Sequence, residues 1–219
     1  MILISFYFSV VNDKITLEPL FPTLLFKTKL ILDNNEKLKS NIIKNHKGHK
    51  TINDNVVAHQ NAVLGLEKDS RFDEVKSKIE KIIISTLQEI YQSVDIQFYL
   101  CAMWSTCCLP GESGQDHFHS NSFYSGVFYP FEVTSSEISF YSPLQDKFSL
   151  DISGNILNWN HFNSPSYNIQ PEQFDLIFFP SYLYHRVLKN TSNIKRYSLA
   201  FNIFLKGDLK APTSNLILS

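Results

Sequence analysis

The chain is short of the features that announce common chemistries. It has three cysteines, two of them adjacent at Cys107-Cys108. An odd count with no spaced pair excludes a disulfide scaffold and a CxxC metal knuckle, and implies free thiols in a reducing, cytoplasmic compartment. Neither sign of charge dominates: 20 Lys+Arg stand against 21 Asp+Glu, for a formal net charge of −1. Nothing electrostatic therefore favours nucleic acid or an anionic membrane as a partner. No apolar run is long enough to cross a bilayer. The most apolar stretch, residues 1–11, lacks the basic start and small-residue cleavage pattern of a signal peptide, and is expected to form a strand or an ordered arm. Internal repeats, a Gly-rich phosphate loop and a nucleophile elbow are all missing.

What is present is globular and aromatic. Hydrophobic residues make up 43% and aromatic residues 14% of 219 positions, enough for one domain with a sizeable core and a sheet-rich interior. Residues 15–30 should be extended, interrupted at Pro19 and Pro22. Asp33-Asn34-Asn35-Glu36 resembles a helix start, with Leu38, Ile42 and Ile43 on one face. Residues 45–61 form a polar loop, a candidate cover for an active-site mouth; its His46, His49 and His59 lack the strand or helix context of a metal site. The clearest helix spans 71–93, with Phe72, Val75, Ile79, Ile82, Ile83, Leu87, Ile90 and Tyr91 at three- and four-residue steps. From Asp95 the period becomes that of strands, expected over 96–106, 123–133, 137–141, 147–152, 156–159, 167–169, 176–179, 185–188 and 196–205. Residues 211–219 read as a loose end. The fold expected is α+β, mainly β: a jelly roll with N-terminal helices packed on the sheet. It divides into an arm with helices (1–94), a β core (95–206) and a tail (207–219), within a single domain.

Three motifs carry chemistry. In Gln115-Asp116-His117-Phe118-His119, residues two apart project from one side of an extended chain, so His117 and His119 aim their imidazoles at one point. Two converging nitrogens are half a metal site, although an isolated His-X-His is as readily a pair of surface histidines. Phe118, and Asp116 with it, falls on the opposite side; Phe118 should point into packing. Downstream, the apolar run Leu176-Ile177-Phe178-Phe179 ends in a Pro180-Ser181 turn, and His185 opens the next strand. In the last long strand Arg196, Ser198, Ala200 and Asn202 share one face, and Tyr197, Leu199, Phe201 and Ile203 the other. An inward arginine with a hydroxyl two residues on suits a carboxylate, which the planar guanidinium grips bidentately. Trp104, Phe123 and Tyr124 are either pocket lining or core, and one of the adjacent cysteines lies close enough in sequence to approach the same pocket.

Taken together, His-X-His, a distant histidine and Arg-X-Ser resemble the Fe(II)- and 2-oxoglutarate-dependent oxygenases. The resemblance is nearest to a small branch known largely from bacterial and phage genomes. Pro19-Leu20-Phe21-Pro22-Thr23, Trp104, His117-Phe118-His119-Ser120-Asn121-Ser122, Ser125-Gly126-Val127-Phe128-Tyr129, Phe179-Pro180-Ser181 and Arg196-Tyr197-Ser198 carry it, in order, from about residue 17 to 206. It implies a double-stranded β-helix of the cupin-like kind. It also implies Fe(II) and 2-oxoglutarate as cofactors, O₂ as co-substrate, and hydroxylation of a small molecule or peptide. By resemblance His117 and His185 are metal ligands, while Arg196, Ser198 and Tyr129 bind the distal carboxylate of 2-oxoglutarate. His119 stands where most of the superfamily has a carboxylate. The branch itself uses His-X-His, so His119 is read as the third ligand, with Asp116 the alternative. Two other functions fit the same residues: a three-histidine cupin-type dioxygenase without 2-oxoglutarate, and a metal-binding barrel that has lost turnover.

Overall fold

The structure is a computed structural model that describes residues 6–10, 13–17, 20–47, 62–93, 95–144 and 152–218. Its strands are β1 (Phe6–Val10), β2 (Asp13–Leu17), β3 (Phe26–Lys29), β4 (Ala62–Val63), β5 (Ile96–Cys108), β6 (Tyr124–Phe128), β7 (Ile138–Tyr141), β8 (Ser166–Ile169), β9 (Asp175–Pro180), β10 (His185–Val187), β11 (Arg196–Ala211) and β12 (Ser214–Leu218). Two α-helices, α1 (Asn35–His46) and α2 (Asp73–Tyr91), precede β5. A major antiparallel sheet runs β3-β9-β6-β11-β5-β4, with β12 paired to the end of β11, and a minor sheet runs β10-β7-β8. β1 and β2 pair with each other. The two sheets face one another as a double-stranded β-helix, and both helices cover the outer face of the major sheet.

The helices form where the residues require it. Asn34 caps α1 by accepting the Lys37 N–H at 2.9 Å, leaving Leu38 and Ile42 buried. A short 3₁₀ turn over Ser70–Phe72 leads into α2, whose first turn carries Asp73 and Glu74 at the positive end of the helix dipole. Val75, Ile79, Ile83 and Leu87 recur every four residues and are fully buried. They share one core with Leu199, Phe201 and Ile203 of β11, Phe128 of β6 and Phe178 of β9. Each such side chain contributes about 1.5–3 kcal/mol on burial. Gly126 belongs to this packing, because a Cβ there would run into the Phe201 ring and lie 2.7 Å from the Ile177 carbonyl oxygen.

One irregularity decides which residues face inward. β5 pairs with β11 at Ala102↔Asn202 and then at Leu100↔Ile203, so Cys101 is an extra residue without a partner. On either side of it Phe98 and Leu100, then Met103, face the helices. The phase of the pleat therefore flips at Cys101 and turns Trp104, Thr106 and Cys108 towards the minor sheet. Between the sheets, Tyr129, Ile138, Phe140, Ile177, Phe179 and Leu183 form a second, smaller apolar cluster.

Several expectations change. Residues 211–219 are not a loose end: β11 continues to Ala211, turns at Pro212-Thr213, and β12 pairs back through residue 218. Residues 156–159 form no strand, and Leu157 is 94% exposed, since no neighbouring strand supplies partners for their backbone. β6 stops at Phe128, short of the expected residue 133, and Pro130, which has no N–H to donate to a ladder, follows. The helix expected over 71–93 is α2, two residues shorter at each end. Phe118 does not enter the core; it is half exposed and lies against Tyr184, ring centroids 5.2 Å apart. Phe123 and Tyr124 join the helix-side core, whereas Trp104 lines the cavity. The strand expected at 147–152 and the loop with His49 and His59 lie largely outside the described residues. Among the described residues no helix is long and apolar enough to cross a membrane.

Candidate metal centre

His117 and His185 meet in an isolated antiparallel bridge beside the minor sheet. The His117 N–H donates to the His185 carbonyl at 3.0 Å, and the His185 N–H returns to the His117 carbonyl at 2.9 Å. Each ring is then fixed by its own chain: His117 Nδ1 lies 2.8 Å from the Gln115 carbonyl oxygen, and His185 Nδ1 lies 2.9 Å from that of Leu183. A carbonyl oxygen only accepts, so each Nδ1 carries the proton and each Nε2 keeps a free lone pair. His119 stands beyond the bridge, its backbone N–H donating to the Ser181 carbonyl at 3.0 Å. One ligand atom from each of the three imidazoles falls within 4.8 Å of the other two, a spacing that could hold a metal ion. Burial first, and the neighbouring His117 second, push the His185 pKa down to about 4. The ring is therefore neutral at physiological pH, the form in which imidazole ligates.

Asp116 lies outside this group. It sits on the opposite side of the strand, half exposed, with an oxygen 3.7 Å from Arg186 Nε. Extended alternation places it there, and the bridge reinforces that placement: with His117 opposite His185, Asp116 falls opposite Arg186.

Behind the imidazoles is a cavity of about 150 Å³ between the sheets. Arg196, only 6% exposed, forms part of its wall. Its Nη2 donates to the Tyr129 hydroxyl at 2.7 Å, and the Tyr129 ring centroid is 5.0 Å from its Cζ. Its Nε is buried without a hydrogen-bond partner. Among the described residues, Arg196 has no carboxylate within ion-pair distance. A buried cation left in that state is costly, so the site fits an anion that completes the guanidinium's pairing. Ser198 Oγ is 2.7 Å from Thr106 Oγ1, directly across the β11–β5 ladder. Burial pushes the Tyr129 phenol up and Arg196 partly offsets it, so the phenol stays protonated and a donor. The cavity thus has three imidazoles at one end and a guanidinium with hydroxyls at the other.

The fold collects His117, His119, His185, Arg196, Ser198 and Tyr129 around this one cavity. Thr106 joins them without having been singled out for it in the motifs, and of the adjacent cysteines expected near the pocket both Cys107 and Cys108 line it. Cys108 lies opposite Arg196 in the ladder, and burial raises its thiol pKa while Arg196 lowers it. The signal for Thr106 is the pairing of β5 with β11, which local pattern does not reveal.

Residues 102–202 match the family described as "Putative 2OG-Fe(II) oxygenase", a span that runs from β5 into β11 and contains all six site residues. No curated protein matches the chain. Among solved structures, the non-heme alpha-ketoglutarate-dependent epimerase SnoN from nogalamycin biosynthesis superposes with a TM-score of 0.60 at 10% identity, over 84% of this chain and 79% of its own. A prolyl-4-hydroxylase from Pseudomonas putida gives 0.57 at 13% identity, over 82% and 92% respectively. HygX from Streptomyces hygroscopicus, solved with nickel and 2-oxoglutarate bound, gives 0.54 at 8% identity, over 83% and 81%. At such identities the structural likeness speaks for the double-stranded β-helix, and the family match covers the part of the chain that builds the cavity. By that match, residues 102–202 are similar to the 2-oxoglutarate- and Fe(II)-dependent oxygenases, on a fold that solved members of that group share.

Proposed function

We propose that the protein hydroxylates an organic substrate, using Fe(II) held by His117, His119 and His185 and 2-oxoglutarate held by Arg196, Ser198 and Tyr129. When bound, the iron and 2-oxoglutarate supply oxidation of a C–H bond by O₂, with 2-oxoglutarate leaving as succinate and CO₂. The protein's share is orientation and exclusion of water. The Nδ1 hydrogen bonds of His117 and His185 present Nε2 to the metal without rotational search. Arg196 takes the distal carboxylate through its planar fork, with Ser198 and Tyr129 adding hydroxyl donors. Ile138, Phe179 and Val187 keep the wall between them apolar. Because all three protein ligands are neutral, the negative charge opposite the metal comes from the co-substrate dianion.

One observation carries the proposal: three convergent imidazoles share a cavity with a buried arginine whose Nε lacks a partner. Anaerobic loading with Fe(II), calorimetric titration with 2-oxoglutarate, and mass spectrometry of candidate peptides and small molecules for a gain of one oxygen test it. Succinate should form in step with product. Full iron stoichiometry in both His117→Ala and His185→Ala would refute the metal assignment. The neutral His119 in place of a carboxylate supports a second reading, a three-histidine dioxygenase in which Arg196 binds the substrate's own carboxylate. Turnover without 2-oxoglutarate would establish that reading.

A further inference from the structure

Beyond His119 and Ala200, which line the cavity, the inner face of the major sheet changes character. Where apolar side chains would fill the space at no desolvation cost, four segments place polar ones: Ser122 in the loop after His119, Ser125 in β6, Ser181 after β9 and Asn202 in β11. Ser125 and Ser181 are each 1% exposed. The four form one chain of hydrogen bonds. Ser181 Oγ lies 2.8 Å from both Ser122 Oγ and Ser125 Oγ, and the Ser125 hydroxyl donates to Asn202 Oδ1 at 2.8 Å. The Ser122 hydroxyl donates to the Tyr124 carbonyl, also at 2.8 Å. Each hydroxyl proton has an acceptor, so burial is compensated and the geometry of the group is narrowly defined.

This group meets the candidate metal centre at one of its three histidines. Ser181 offers its carbonyl to the His119 N–H at 3.0 Å, and its own N–H donates to the Phe123 carbonyl at 3.1 Å. His117 and His185 are instead tied to each other by the backbone bridge. Between His119 and Ser122 the chain reverses through Asn121, whose φ of 53° lies in the left-handed region that asparagine tolerates.

We propose that Ser122, Ser125, Ser181 and Asn202 are positioning residues that fix the approach of His119 and so complete a three-histidine site. The inference rests on His119 being a metal ligand, as in the function proposed above. The network sets where the Ser181 carbonyl lies, that carbonyl sets the His119 backbone, and the backbone sets the imidazole against the other two. Shells of this kind around a metal typically account for tenfold to hundredfold in affinity.

The test is a Co(II) titration of the full chain, followed by visible absorption, for wild type, Ser125→Ala, His119→Ala and the double variant. Ser125→Ala removes the three hydrogen bonds of Ser125 to Ser122, Ser181 and Asn202 and leaves the metal-facing side chains intact. It should weaken Co(II) binding roughly tenfold or more and alter the ligand-field bands. In the His119→Ala background the same change should have no further effect, because its route to the metal is gone. A folded Ser125→Ala with wild-type affinity and spectrum overturns the inference, as does an equal loss in both backgrounds, which would mark the network as structural only. If Ser125→Ala does not fold, Ser122→Ala at the rim of the network carries the same comparison. Failure of the underlying reading looks different: wild type binds no Co(II), or His119→Ala binds it as well as wild type does.

Discussion

The two faces of the major sheet are made by the same strands and do opposite work. On the outer face Leu199, Phe201, Ile203, Phe128 and Phe178 lie under Val75, Ile79, Ile83 and Leu87 of α2, without polar interruption. On the inner face, at alternate positions along the strands, stand Arg196, Ser198 and Ser125, with Thr106 and Trp104 on β5. The outer face gains stability from every residue it buries. The inner face holds an arginine with a partnerless Nε and a histidine pushed away from its protonated form, both of which the fold tolerates at a cost. A strand of period two can serve both needs because alternate residues never compete for the same environment.

That contrast can be broken first on the outer face. Phe201→Ala empties a fully buried position and should lower unfolding free energy by about 3–5 kcal/mol, measured by urea denaturation, while the protein that remains folded still binds Co(II). Lost metal binding in the folded fraction would mean that the faces are not separable. The next largest effect is one of pH. His185 has its pKa lowered to about 4 from an ordinary 6.5, so its contribution to stability is complete above about 6.5 and is lost as pH falls through about 4. Metal-free protein should lose about 3 kcal/mol across that window, and His185→Gln should flatten the slope. A wild-type profile that is flat from pH 7 to 4 would contradict the buried neutral imidazole.

Arg196→Met sharpens the comparison from the inner side. It should reduce 2-oxoglutarate affinity by about 1.5–3 kcal/mol, the scale of charge-assisted hydrogen bonds. The metal-free protein should meanwhile melt within a few degrees of wild type, because the deleted charge had no ion-pair partner to lose. A collapse as large as that of Phe201→Ala would recast Arg196 as structural. The smallest effect belongs to Asp116. Its contact with Arg186 is exposed and 3.7 Å long, so Asp116→Ala should change stability by less than about 1 kcal/mol and leave iron content intact. His119→Ala in parallel should bind iron markedly more weakly, and His119→Asp should keep it. Iron lost from Asp116→Ala instead would exchange the two residues' roles.

The helix over α2 and the inward set Arg196, Ser198, Ala200 and Asn202 are legible locally, since both follow from the period of a single segment. Residues 156–159 show the limit of that logic: they alternate well enough to suggest a strand, yet no neighbouring backbone is there to pair with them. The end of the chain shows the reverse, where residues 214–218 carry little pattern but β11 supplies an edge that makes them a strand. Trp104 stands between the two. Its type suits a core as well as a pocket, and only the unpartnered Cys101 sends it to the cavity.

The sequence by itself determined the chemistry: which imidazoles, which guanidinium and which hydroxyls exist, and that His117 with His119, and Arg196 with Ser198, lie on common faces. Those are short-range facts, set by the geometry of an extended backbone over three residues. Tertiary structure alone decided that His185 closes on His117 and that Tyr129 reaches Arg196. It also decided that one unpaired residue in β5 turns Thr106 towards Ser198, and that three serines and an asparagine from four segments meet beside His119. These depend on strand register, which is fixed by the whole sheet burying its outer face under α2. A shift of one residue anywhere along that sheet would move every side chain to the other side.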